Sequence, residues 1–179
     1  MLSRLKILLI VPIFIFFTCG CSNKNSVFDY REHSATFSVV FSSDFSGGTS
    51  TADVICIGEK SSNQITLTII SPERSSGIKV LYDFSSLSVS VSDLTIPISD
   101  GAGENIKMFF DLLYPSFDQA GHSSVGSWTV AKSDDGVHTY LISPLGKVVL
   151  DENLLPISVS LKNDNKSVTI REYAIVPQK

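Results

Sequence analysis

Between Leu87 and Val91 apolar and hydroxyl side chains alternate without a break, Leu-Ser-Val-Ser-Val, and this period of two returns along most of the chain. Phe37, Val39 and Phe41 alternate with Thr36 and Ser38, Ile65, Leu67 and Ile69 with Thr66 and Thr68, and Ile157, Val159 and Leu161 with Ser158 and Ser160. Successive side chains of a strand point to opposite faces, so each segment buries one face and wets the other. That is the signature of half-buried strands in an antiparallel sheet with one solvated side. Turn-forming clusters separate the runs at short intervals: Ser46-Gly47-Gly48, Ser61-Ser62-Asn63, Ser71-Pro72-Glu73, Asp134-Asp135-Gly136 and Asn163-Asp164-Asn165. The expected architecture is mainly β, an antiparallel meander with hairpin-like spacing.

One segment departs from the period of two. In Glu104 to Tyr114, Ile106, Phe109, Phe110 and Leu113 recur at helical spacing. Asp100 or the Gly101-Ala102-Gly103 stretch opens this helix, Glu104 favours its positive end, and Pro115 closes it. The expectation is one amphipathic helix of about three turns covering the sheet. Its aromatic face has two readings: Ile106, Phe109, Phe110 and Leu113 line a hydrophobic cavity inside a curved sheet, or they seal a core that the sheet does not close by itself.

The N-terminus has its own pattern. Arg4 and Lys6 precede Ile7 to Phe17, a run without charge, which is the layout of a secretory signal. The run is shorter than the roughly 20 apolar residues that span a bilayer, and Pro12 interrupts it. It ends in Thr18-Cys19-Gly20-Cys21-Ser22-Asn23, which resembles the lipobox of bacterial lipoproteins, with Thr18 where the family most often has Leu. The resemblance implies that residues 1–20 are removed and that Cys21 receives a diacylglycerol. Cys19 is a poorer match, because Phe16, Phe17 and Thr18 precede it. Residues 21–34 then read as a lipidated N-terminus and tether, and 35–179 as a single β-rich domain. The protein is expected at a cell membrane, lipid-anchored on the extracytoplasmic face.

Without its signal the chain has 12 basic and 18 acidic residues, which argues against nucleic acid as a partner and against electrostatic docking on anionic lipid. Cys56 is then the one thiol remaining, and between Ile55 and Ile57 it reads as a small buried hydrophobe. His33, His122 and His138 are isolated from one another and match no metal spacing. No nucleophile elbow, phosphate loop or dinucleotide fingerprint is present, and Asp134-Asp135-Gly136 reads as a hairpin turn. No catalytic residue, metal site or cofactor is expected, and the protein is not expected to be an enzyme.

The order of elements carries a second resemblance. A strand ending in Ile69-Ile70-Ser71-Pro72-Glu73 turns into the Gly-led strand Gly77 to Tyr82. Late in the chain, His138 to Ile142 precedes Gly146 to Asp151 and the proline-opened strand Leu155-Pro156-Ile157. This is similar to the lipoprotein-localisation carrier (LolA/LolB-like) superfamily over about residues 35–175. The resemblance implies a strongly curved sheet, an incomplete β-barrel, with a lipid or other hydrophobic ligand in its concavity. A clear helix before the first strand, as in soluble carriers, is missing, so a fixed or receptor-like lipoprotein fits better than a shuttle. The alternative is an envelope scaffold whose core is filled and whose partner is another envelope protein. Growth with radioactive palmitate should label the protein, and Cys21→Ala should abolish the label; a labelled variant would move the lipidation elsewhere.

Overall fold

The structure, a computed structural model, describes residues 26–42, 53–98, 103–117, 121–162 and 166–177. The signal, Cys21, the Ser46-Gly47-Gly48 and Asn163-Asp164-Asn165 clusters, and Asp100 to Ala102 lie outside these residues. Strands β1 (Ala35–Phe41), β2 (Val54–Lys60), β3 (Ile65–Ser71), β4 (Lys79–Tyr82), β5 (Leu87–Val91) and β6 (Leu94–Pro97) precede the helix α1 (Glu104–Leu113). Strands β7 (Thr129–Lys132), β8 (Thr139–Ile142), β9 (Gly146–Leu150), β10 (Pro156–Leu161) and β11 (Ser167–Ile175) follow it.

All eleven strands form one antiparallel sheet in the order β6-β5-β4-β3-β2-β1-β11-β10-β9-β8-β7. Every neighbour is a sequence neighbour except the β1·β11 pair, which joins the two halves of the chain. Among the described residues no strand pairs with the outer side of β6 or β7, so the sheet is not closed into a barrel. The alternation sets which face turns inward. In β1 Ala35, Phe37, Val39 and Phe41 are buried, and in β3 Ile65 and Leu67 are, while Thr36, Glu59 and Thr66 lie side by side on the outer face.

The reach of α1 shows how strongly the sheet curves. Phe110 stacks on Tyr82 of β4, ring centroids 4.9 Å apart, while a methyl group on Gly146 of β9 would collide with Leu112 of the same helix. Six inter-strand steps separate β4 from β9, about 29 Å in a flat sheet. A helix about 10–12 Å across touches both only if the sheet bends around it.

Ten residues are too few for a helix to persist alone, so packing sustains α1. Phe109, Phe110, Leu112 and Leu113 are all 0% exposed, and each such burial contributes about 1.5–3 kcal/mol. Glu104 stands in the first turn as expected, Gly103 precedes it without a side-chain cap, and Tyr114 follows the last turn.

The segment Ser26–Glu32 differs from its reading as tether. It is a 3₁₀ helix, and Phe28 and Tyr30 belong to the core. Its polar residues set its composition, but two aromatic side chains decide its position. The edge strands β6 and β7 are also additions to the expected pattern, each only four residues long.

Between β1 and β2, the missing side chain of Gly58 makes room for the Phe37 ring. Gly58→Ala places a methyl within that ring and should cost about 1–3 kcal/mol through overpacking. Urea unfolding reads the change, and an unaltered midpoint would mean that Phe37 moves aside without loss.

Candidate functional site

The concave face is where a ligand of an open sheet would sit, and α1 occupies its middle. Phe109 packs edge-on against Phe41 at 5.3 Å, and Phe110 lies parallel to Tyr82. Of the residues expected to line a cavity, Phe109, Phe110 and Leu113 are therefore wedged between helix and sheet, and Ile106 is half-buried. On the polar side of the helix Lys107 Nζ donates to Asp111 at 2.8 Å, and the Tyr82 hydroxyl donates to the same carboxylate. One carboxylate thus ties the helix to β4.

At its C-terminal end α1 is held by the N-terminal segment. The last carbonyls of a helix lack intrahelical donors. Here the Tyr30 hydroxyl donates to the Leu113 carbonyl at 2.8 Å, and Arg31 Nη1 to the Pro115 carbonyl at 3.1 Å. The Arg31 guanidinium lies 4.3 Å from the centre of the Phe117 ring. Phe28 fits between Phe117 and Trp128, 5.4 Å from each, and Trp128 Nε1 donates to Ser123 Oγ at 3.0 Å. From the sheet side, Lys60 Nζ donates to the His33 carbonyl at 2.8 Å. Residues 26–33 therefore act as a strap fixed at both its ends.

Beyond the helix, part of the concave face is exposed among the described residues. Val91 pairs with Leu94 and Val89 with Ile96, and Val89 in turn opposes the buried Val80 of β4. Directly paired residues share a face, so all four point into the concavity. Val91, Leu94 and Ile96 nevertheless remain 47%, 62% and 53% exposed. A contiguous apolar plate on an inward face is the kind of surface that ligands or partners cover. The sequence shows half of it, in the Leu87 to Val91 alternation; Leu94 and Ile96 were missed because two apolar residues in a four-residue strand make no periodic signal.

The described surface also has a shallow groove of about 370 Å³ on the outer face, lined by Ser34, Thr36, Glu59, Gln64 and Thr66. Ala35, Lys60 and Val176 also line it, so its walls mix apolar and polar groups and define no ligand chemistry. Among the described residues no three His, Cys, Asp or Glu side chains gather where they could hold a metal ion. His33 and His122 are exposed and His138 is half-buried ahead of β8. Cys56 is buried, opposite Val39 and Ile69, and burial pushes its thiol up to about 12.

No family model matches the chain, and no curated protein matches it in sequence. Among solved structures it is similar to an uncharacterized conserved protein from Thermus thermophilus, with a TM-score of 0.48 and 6% identity over 88% of this chain and 90% of that one. It is also similar to the LolA superfamily protein NE2245 from Nitrosomonas europaea, with a TM-score of 0.43 and 10% identity over 89% and 96% of the two chains. Neither likeness transfers a ligand or a residue role to this chain.

The buried phenols and thiol give the interior a defined response to alkali. Burial raises Tyr30, Tyr82 and Tyr114 well above the ordinary phenol range, and Tyr173 to about 12 despite an opposing contribution from the Tyr114 hydroxyl. An acid whose folded pKa is raised keeps its proton in the native state after the unfolded chain has lost it. Stability then falls as pH rises from the unfolded value, near 9 for Cys56 and 10 for the phenols, towards the folded one. The urea midpoint should hold steady to about pH 8 and drop increasingly above pH 9; a midpoint unchanged at pH 10.5 would show that these groups are not held away from water.

Proposed function

We propose that this protein is a membrane-tethered lipoprotein that holds a lipid or another apolar molecule against the inner face of an incomplete β-barrel. The observation that carries the reading is the inward-facing apolar plate of Val91, Leu94 and Ile96, exposed among the described residues and continuous with the half-buried Val89. The anchor rests on the run from Ile7 to Phe17 and on Cys21 in its lipobox-like setting. An acyl tether suits a mature chain with more acidic than basic residues, because its hold on the membrane comes from buried methylenes, about 0.8 kcal/mol each.

The filled space behind α1 limits where the ligand goes. Phe109, Phe110, Leu112 and Leu113 already occupy the middle of the concavity, so an acyl chain lies along the β5–β6 lip and beside the helix. The same four side chains favour the second reading, an envelope scaffold with a filled core, in which the bare plate and edge serve a protein partner.

Native mass spectrometry separates the two. A delipidated domain offered fatty acid or phospholipid should retain it. Leu94→Asp puts a charge into the plate at an exposed position, with little cost to folding, and should weaken retention at least about tenfold, the equivalent of 1.4 kcal/mol. If the stripped domain takes up no lipid while membrane pull-downs return one dominant protein, the scaffold reading stands and the ligand reading falls.

A further inference from the structure

We propose that this protein pairs with a second copy of itself through the outer edge of β7, antiparallel and about a two-fold axis at Val130. The two ends of the sheet are not equivalent. Beside β6 the Ile98 N–H donates to the Leu87 carbonyl, so by alternation Thr95 and Pro97 turn their backbone groups away from β5. Pro97 has no N–H, which leaves Thr95 as the outward donor of that strand and disfavours strand addition there. On β7 the Ser133 N–H donates to the His138 carbonyl, in phase with the pairing of Ala131 to Tyr140 and Thr129 to Ile142. The N–H and C=O groups of Val130 and Lys132 therefore point away from β8. Among the described residues no strand takes up that row, and no proline interrupts it.

The side chains of the row choose the partner. Val130 pairs with the buried Leu141 and so lies on the inner face, yet it is 47% exposed, and Lys132, two residues on, is exposed on the same face. Trp128, two residues before, is half-buried, with its indole N–H donating to Ser123. Two β7 edges that meet around Val130 set this side chain against its own counterpart and each Lys132 opposite the partner's Trp128. Apolar then meets apolar, and each ammonium meets an aromatic ring. An axis at Lys132 would oppose two ammonium groups, and one at Ala131 would bring them diagonally close. The segment Trp128-Thr129-Val130-Ala131-Lys132 is thus complementary to itself in one register, the isologous contact that a two-fold dimer requires. The β5–β6 plate lies at the other end of the strand order, so the pairing is independent of the proposed apolar guest.

Cysteine cross-linking of the full-length protein tests the register. Across a hydrogen-bonded antiparallel pair the two Cα atoms stand about 5.5 Å apart, a span that a disulfide bridges. Val130→Cys should therefore give a disulfide-linked dimer on mild oxidation, which the wild type with the same native cysteines should not. Lys132→Cys should give none, because its two copies lie four residue steps apart along the strands, about 14 Å. Val130→Pro removes an outward N–H and nothing from the β7–β8 ladder, so it should keep the wild-type urea midpoint and sediment as monomer where the wild type sediments as dimer. A folded Val130→Cys protein that stays monomeric, or equal cross-linking from position 132, overturns the proposal. Should Val130→Pro lower the urea midpoint, Lys132→Glu takes its place: an acid against the Trp128 ring should weaken association at least about tenfold, and unchanged association overturns the pairing.

Discussion

The wedge of Phe109 and Phe110 between Tyr82 and Phe41 is the contact on which the rest of the molecule depends. An eleven-stranded sheet with two free edges has no means of its own to close its concave face, and inward-pointing Val, Leu and Ile side chains would otherwise face water. One short helix supplies the missing apolar surface. In return the curved sheet sustains a helix that would not form alone. Sheet curvature and helix burial are thus one event, and loss of either side of the wedge removes the reason for the other.

The strap extends the same logic to the N-terminus. The end of α1 presents carbonyls without donors, and Tyr30 and Arg31 provide them from a segment more than eighty residues earlier in the chain. Tyr114 and Tyr173 share a hydroxyl contact at 3.0 Å beside them, and Phe37 stacks on Tyr173, so β1, β11, the helix end and the strap converge in one aromatic cluster. The cluster sits where β1 pairs with β11, the single non-sequential pairing of the sheet. The place where the halves of the chain join is also where the N-terminus is secured.

What the helix leaves uncovered gives the molecule its asymmetry. Its four buried side chains reach from β4 to β9, and among the described residues the inward side chains Val91 of β5 and Leu94 and Ile96 of β6 stay exposed. A filled centre with an open apolar lip differs from the simple cavity that the helix face suggests. In the proposed function the helix is part of the packed wall, and the lip is the surface that remains for an apolar guest.

Strict alternation in Phe37 to Phe41, Ile65 to Ile69 and Leu87 to Val91 was enough to establish strands, their inner faces and an antiparallel sheet, because a period of two admits no other regular structure. The helical spacing of Ile106, Phe109, Phe110 and Leu113 likewise placed α1 to within its last turn, and Cys56 was legible as a buried thiol from its neighbours. The remainder depended on contacts between residues distant in sequence. Phe28 and Tyr30 stand in a polar stretch with no period, and only the ring pair Phe117 and Trp128 and the carbonyl of Leu113 make them core. Leu94 and Ile96 became part of a surface only through their register with Val91 and Val89. Whether Phe109 lined a cavity or filled it was decided by how far the sheet bends, a property of eleven strands together that no local pattern encodes.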